Sequence, residues 1–299
     1  MTTARVLVLG GTGMLGHAVW RTFRERFDTF VTLRSRLREY EPLGLFDADR
    51  AIEGVDGYSV ESIARAFERA RPSVVVNCIG LVKQLAEAND AVASVTINAL
   101  LPHRVAELCR RTGARLIQIS TDCVFSGTAG GYRESDPADA DDLYGRTKRL
   151  GEVTDGTALT IRTSIIGREL RSTTGLVEWM LSRRGGRIDG FTQAIFSGMT
   201  TMTLARALSD VVEHHASLSG LYHVASQRIS KRDLLVRLDE AFGTGITIVP
   251  SDRVRIDRSL DGSRFAAATG LAIPDWPAMI RELAADAARY ETWRTASVS

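Results

Sequence analysis

The sequence predicts an α/β protein: a doubly wound parallel sheet with a smaller C-terminal lobe. Three observations carry that expectation. Short β-rich runs alternate with longer helical patterns through the first half. The first run, Val6 to Leu9, leads into a glycine-rich turn that opens a helix. Val74-Val75-Val76 is apolar at consecutive positions, as a strand covered on both faces requires.

In chain order, Val6 to Leu9 is the first strand. Met14 to Arg26 is the first helix, with Leu15, Val19 and Phe23 at helical spacing. Phe30 to Leu33 is the second strand. Val60 to Arg71 forms a helix that presents Ile63, Ala66, Phe67 and Ala70 on one face. Pro72 breaks the chain before the Val74 to Val76 strand. A long helix spans Val92 to Arg111 and stops at Gly113. Leu116 to Ile119 is a strand, a helix covers Tyr144 to Glu152, and Leu159 to Ile161 is a further strand.

The second half is less regular, with breaks at Gly185-Gly186 and Gly243 to Gly245. Helices at Leu204 to His215 and Lys231 to Phe242 flank a strand at Leu221 to Val224. A polar turn falls at Asp261-Gly262, and a last helix runs from Trp276 to Tyr290. No polar linker separates the halves. The expectation is a sheet domain of residues 1–165 plus about 204–235, packed on a lobe of 166–203 and 236–299.

Composition narrows the class. The formal charge of +2 creates no strong field for nucleic acid or an anionic membrane. No apolar run is long enough to cross a bilayer, and no charged-then-apolar leader precedes the first strand. The cytoplasm is the expected compartment. Cys78, Cys109 and Cys123 lack metal-ligand spacing, so no metal is expected, and they read as small buried side chains. Of 38 basic residues only Lys83, Lys148 and Lys231 are lysine. A lysine at a motif position therefore weighs more here than in an average chain.

Two constellations point to chemistry. Gly10-Gly11-Thr12-Gly13-Met14-Leu15-Gly16 joins a strand to a helix. Such a turn presents bare backbone N–H groups to a pyrophosphate, and the helix N-terminus adds a partial positive charge. Gly10, Gly13, Met14, Leu15 and Gly16 are thus candidate dinucleotide contacts, the mark of a Rossmann sheet. The second strand ends in Arg34-Ser35-Arg36, with no acid to hold ribose hydroxyls. Two guanidiniums suit a 2′-phosphate, so NADPH is favoured, with NADH the alternative.

The second constellation is Tyr144-Gly145-Arg146-Thr147-Lys148. Four residues apart on a helix, the phenol and the ammonium share a face, and a nearby ammonium lowers a phenol's pKa. Before it, Ile117 to Ile119 runs into Ser120-Thr121-Asp122 at a strand's carboxyl end, where open parallel sheets bind ligands. Asn77-Cys78-Ile79-Gly80 repeats that form and is a second candidate cofactor wall.

In these motifs, together with Asn98, Gly151-Glu152, Ile161-Arg162-Thr163 and Gly220 to Val224, the chain resembles the extended short-chain dehydrogenases/reductases. Its likeness within them is to the dTDP-4-dehydrorhamnose reductase-like sugar-nucleotide reductases. The resemblance implies a nucleotide-sugar substrate and roles for single residues. Thr121 would hold the C4 carbonyl oxygen with Ser120 nearby, and Tyr144 would protonate that oxygen. Lys148 would bind the nicotinamide ribose and depress the Tyr144 pKa. Asn98 would order a water network at the lysine. Asp56, or else Asp47, would contact the adenine. Lys83 or Gln84 would touch the substrate, with Arg162 to Gly167, Ser197 to Thr201 and Arg253 to Arg258 as further walls. A homodimer fits the same picture.

Cys123 departs from the group, which commonly has Tyr after Ser-Thr-Asp. The missing Glu after Thr121-Asp122 argues against a dehydratase. An NAD-dependent epimerase and a non-catalytic regulatory subunit are the rival readings. The joint presence of Thr121, Tyr144 and Lys148 opposes the second.

Overall fold

The computed structural model describes residues 4–296. Its organising element is a seven-stranded sheet of order β3-β2-β1-β4-β5-β6-β10 in which every neighbouring pair is parallel. The strands are β1 (Arg5–Leu9), β2 (Asp28–Thr32), β3 (Ala51–Ile52), β4 (Val74–Asn77), β5 (Arg115–Thr121), β6 (Ala158–Thr163) and β10 (Gly220–His223). The chain leaves β1 toward β2 and β3, then crosses back to β4. Such a reversal opens a crevice at the carboxyl ends of β1 and β4.

Strand alternation divides the core between the two faces. Val6, Val8, Val74 and Val76 face one side, beneath α1 (Gly16–Phe23) and α7 (Thr201–His214). Leu7, Leu9 and Val75 face the other, beneath α2 (Val60–Ala70) and α4 (Leu101–Thr112). The expected strand at Leu221 to Val224 is β10, which extends the sheet beyond β6.

The structure corrects several element boundaries. The first helix starts at Gly16, two residues later than expected, because Gly11 to Leu15 remain in the turn. The expected helix over 92–111 is split into α3 (Ala91–Ser94), a π-helical turn (Val95–Leu100) and α4. Pro102 has no N–H to return to the Asn98 carbonyl. That carbonyl is met by Gly151, where any Cβ would lie 2.0 Å from it. Gly151 ends α5 (Leu143–Leu150), the helix that carries Tyr144 and Lys148.

The second half holds strands that the sequence pattern hides. β7 (Ile165–Ile166) pairs with β9 (Met199–Thr200), and α6 (Leu176–Leu181) lies between them in the chain. β8 (Arg187–Phe196) is flanked by β11 (Ile229–Ser230) and β12 (Thr247–Asp257), with α8 (Lys231–Phe242) between the last two. β12 carries Pro250 and a register shift between Ser251 and Arg255, so its alternation is broken. After the expected turn at Asp261-Gly262 comes α9 (Ser263–Thr269). The last helix divides at Asp286 into α10 (Trp276–Ala285) and α11 (Ala287–Ala296). Among the described residues no helix is long and apolar enough to cross a membrane.

A buried charge cluster joins β5, β6 and the end of α5. The Glu152 carboxylate accepts from Ser120 Oγ at 2.8 Å and Arg149 at 2.6 Å. Arg162 gives it two further bonds, at 2.7 and 2.9 Å. Burial pushes this carboxyl up, but Arg162, Ser120 and Arg149 together outweigh burial and hold it below the usual range. Removing one partner of a buried pair strands the other charge. Arg162→Met should therefore lose about 3 kcal/mol in urea unfolding. Arg111→Ala, which breaks an exposed pair with Glu107, should cost less than about 0.5 kcal/mol.

At the other end of the sheet, His17 on α1 is fully buried, and burial pulls its pKa to about 4. The unfolded chain takes up that proton near 6.5. His17 therefore favours folding above pH 6.5, and the contribution drains away as the pH falls toward 4. Melting curves across that window should fall less steeply for His17→Gln than for the parent chain.

Candidate active site

The crevice is formed where the glycine turn meets the carboxyl ends of β4 and β5. Two connected cavities of about 480 and 400 Å³ occupy it, sharing Gly13, Met14, Gly80, Asp122, Cys123 and Arg258. All three lysines of the chain line this one cleft: Lys83 and Lys148 in the first cavity, Lys231 in the second.

The glycine turn separates structural from ligand-facing glycines. Gly10 sits at φ +80°, and a Cβ on Gly16 would lie 2.0 Å from the Gly10 carbonyl oxygen. The fold itself demands both. A Cβ on Gly13 would meet nothing in the protein closer than 3.4 Å, so its bare backbone keeps space open in the cleft. Leu15 supplies no side-chain cap to α1. The His17 amide is taken by the Gly13 carbonyl, and the helix end still carries the partial positive charge that fits a pyrophosphate. Met14 and Leu15 line the same wall.

Thr121 at the end of β5, with Tyr144 and Lys148 on α5, lines the first cavity. The Asp142 side chain starts α5 by accepting from Gly145 N at 2.8 Å. Lys148 Nζ donates to the Ile119 carbonyl at 2.8 Å. Burial draws the Lys148 ammonium down to about 8, opposed chiefly by Glu152. The phenol differs from expectation. Burial raises the Tyr144 pKa above its ordinary value, Cys123 adds to the rise, and only a hydrogen bond with Thr121 opposes it. Lys148 is turned to the β5 backbone and does not depress the phenol. Tyr144 is thus a protonated donor at neutral pH rather than a base.

The other sequence candidates divide. Cys78, Ile79 and Gly80 line the cleft, and burial pushes the Cys78 thiol up to about 12, which leaves it unreactive. Asn77 also lines it, although its amide bonds Gln118 and the Ile79 N–H. Gln84 borders both cavities, and Lys83 borders one while paired with Asp142 at 2.8 Å. Ser120 lines the first cavity as well, with its hydroxyl proton given to Glu152. Asn98 is tied to backbone. Both ends of its amide bind the Leu81 backbone, at 2.9 and 3.0 Å, and so hold the loop after β4. Arg162 is buried on Glu152 and is no substrate wall.

Arg34 and Arg36 are exposed beyond β2, with Ser35 between them. Arg34 Nε stands 3.7 Å from Asp56, which the Val55 bond to Leu33 brings to that strand end. Asp47 instead pairs with Arg24. Of the two acids, Asp56 is the one beside the basic strand end.

Sequence reasoning missed several lining residues. Phe196 and its neighbours come from β8, a strand without clear alternation. Lys231 opens α8 with its ammonium 4.0 Å from the Phe196 ring centroid, and burial lowers its pKa while Asp122 opposes that. The rarity of lysine was the available signal. Thr163 at the end of β6 falls within the expected Arg162 to Gly167 wall. Its hydroxyl borders the cleft, is buried, and finds no partner among the described residues. Such an orphan fits a polar ligand group.

Fold and site together define the class: an extended short-chain dehydrogenase/reductase, an oxidoreductase by type. The profile of the RmlD substrate binding domain matches residues 4–244, and the chain belongs to that family. A probable low-salt glycan biosynthesis reductase, Agl14 of Haloferax volcanii, is 30% identical over 261 residues, 82% of each chain. A dTDP-4-dehydrorhamnose reductase of Streptomyces griseus is 36% identical over half of this chain, which spans 43% of that relative's length. A methionine adenosyltransferase 2 subunit beta of Xenopus tropicalis is 32% identical over a similar half, 41% of its own length. Among solved structures, a Bacillus anthracis dTDP-4-dehydrorhamnose reductase in complex with NADP superposes with TM-score 0.77 at 20% identity. The match covers 95% of this chain and 99% of that one. At that identity the likeness speaks for the fold alone.

The glycine analysis predicts a separation of effects. Gly13→Ala should leave stability within about 0.5 kcal/mol and weaken NADPH binding more than about tenfold in calorimetric titration. Gly16→Ala should lose stability as well, because its Cβ strikes backbone.

Proposed function

We propose that this protein reduces a C4 ketone on a nucleotide-activated deoxysugar, with NADPH as the hydride source, in the cytoplasm. One observation carries the reading: a phenol held protonated by burial stands with Thr121 and Lys148 in the cavity that ends at the glycine turn. Support for the coenzyme comes from the ligand-facing Gly13, the uncapped start of α1 and the orphaned Thr163 hydroxyl. Arg34 and Arg36 would take the 2′-phosphate that distinguishes NADPH from NADH.

When bound, the reduced nicotinamide supplies a hydride to the carbonyl carbon. Tyr144 gives its phenolic proton to the carbonyl oxygen, so the ketone becomes an alcohol and the phenolate is reprotonated from water. Thr121 is the second hydroxyl beside that oxygen. Its proton rests on Asp122 at 3.1 Å and turns to the carbonyl when substrate arrives. Lys148 would hold the coenzyme's ribose hydroxyls. Phe196 gives the adjoining cavity an apolar wall.

Mixing the protein with nucleotide 4-keto sugars and either coenzyme should consume NADPH faster than NADH. Tyr144→Phe should cut turnover at least about a hundredfold while coenzyme affinity stays within about twofold. If no 4-keto sugar across nucleotides consumed either coenzyme, the reading would be wrong.

A further inference from the structure

We propose that Tyr290 of the C-terminal helix, acting through His17, is a positioning residue for the dinucleotide turn. The coenzyme assignment above supplies the ligand; the linkage itself stands on contacts within the chain.

The linkage begins at the turn. Gly13 O accepts two bonds from the same residue, one from the His17 backbone N–H at 3.2 Å and one from His17 Nδ1 at 2.8 Å. A carbonyl only accepts, so Nδ1 must carry the ring proton. A neutral ring then leaves Nε2 as an acceptor. It stands 2.6 Å from the Tyr290 hydroxyl, which donates. The Tyr290 hydroxyl, 273 positions away, thus reinforces the tautomer that the Gly13 carbonyl also requires.

The consequence reaches the ligand side through peptide geometry. In a trans peptide the C=O and the following N–H point in opposite directions. Pinning the Gly13 carbonyl inward onto His17 aims the Met14 N–H outward, and Gly13 and Met14 both line the cleft. Were the ring to carry its proton on Nε2, a bare Nδ1 lone pair would face the Gly13 oxygen and repel it. The peptide would then be free to rotate, and an amide aimed at the pyrophosphate would be lost.

Tyr290 is itself firmly held. Arg21 lies 6.0 Å from its ring centroid and makes a bidentate pair with Asp286, at 2.5 and 3.1 Å, just before α11. Arg168 lies 5.1 Å from the same centroid, and Trp293 packs edge-on at 5.0 Å. Burial keeps the phenol protonated, with its pKa pushed up to about 12, so it remains a donor. The groups facing His17 are Arg21 and Asp286 besides Tyr290, and burial keeps the ring neutral at physiological pH. Tyr290 and Asp286 lie beyond residue 244, where the family match ends, while Gly13, His17 and Arg21 lie within it.

The test uses the full chain and variants of Tyr290 and His17. Nitrogen-15 NMR of the imidazoles, without coenzyme, should show His17 protonated at Nδ1 in the parent and a mixed tautomer in Tyr290→Phe. Calorimetry should show NADPH bound about five- to tenfold more weakly by Tyr290→Phe, with turnover at saturating coenzyme unchanged. His17→Asn, whose amide donates in any state, should retain most of the affinity, and adding Tyr290→Phe to it should change nothing further. An unchanged tautomer in Tyr290→Phe, or an equal affinity loss in the His17→Asn background, would overturn the proposal. If Tyr290→Phe unfolds, Tyr290→Trp, whose indole N–H is also a donor, should restore the Nδ1 tautomer; failure to do so in a folded variant counts against it. A parent chain that binds neither coenzyme would instead refute the cofactor reading and leave the NMR result to judge the linkage.

Discussion

The arrangement of the site depends on the Glu152 carboxylate. It is buried, and it satisfies three positions that differ in origin: the end of β5 through Ser120, the end of β6 through Arg162, and the last turn of α5 through Arg149. It is also the main group that keeps charge on the buried Lys148. Together with the Lys148 bond to the Ile119 carbonyl, it fixes α5 against β5 and so helps set Tyr144 beside Thr121. Arg162 extends the cluster to His223 on β10 at 3.4 Å, so the late strand is tied to the same anchor. The sheet-edge strand thus contributes to a site it does not touch.

Desolvation then decides the chemistry. The same burial that lowers Lys148 raises Tyr144 and the Cys78 and Cys123 thiols. A site so arranged does not rely on a pre-formed phenolate. It stores a proton where a carbonyl oxygen would need one, and it keeps two potential nucleophiles inert. Reduction suits that polarity better than a reaction that begins with proton removal.

Much of the nucleotide half was legible because its signals are local. Val6 to Leu9, the seven-residue glycine turn and the Tyr144-Lys148 spacing each read correctly, since strand burial and helical spacing leave direct marks in sequence. What stayed hidden was set by tertiary contact. The π turn over Val95–Leu100 follows from Pro102 and the approach of Gly151, two residues that no periodicity links. Ser120 and Asn98 carry the right polar groups for a ligand, but a buried carboxylate and a loop backbone claim them first. β8 and β12 lie half exposed, with Gly190 in one and Pro250 in the other, so neither keeps a clean alternation. Lys231 sits on the second of these layers' helices, and only its rarity marked it in advance.

The central claim is that this cleft passes a hydride to a ring carbonyl under protonation by Tyr144. The most direct test is isotopic. NADPH deuterated at the reactive face of its nicotinamide is turned over with the 4-keto sugar nucleotide that the protein accepts, and the product is examined by NMR. The account predicts one deuterium bonded to the sugar C4 in each product molecule. Product formed without deuterium at C4, or with an inverted hydroxyl and no net coenzyme oxidation, would contradict it.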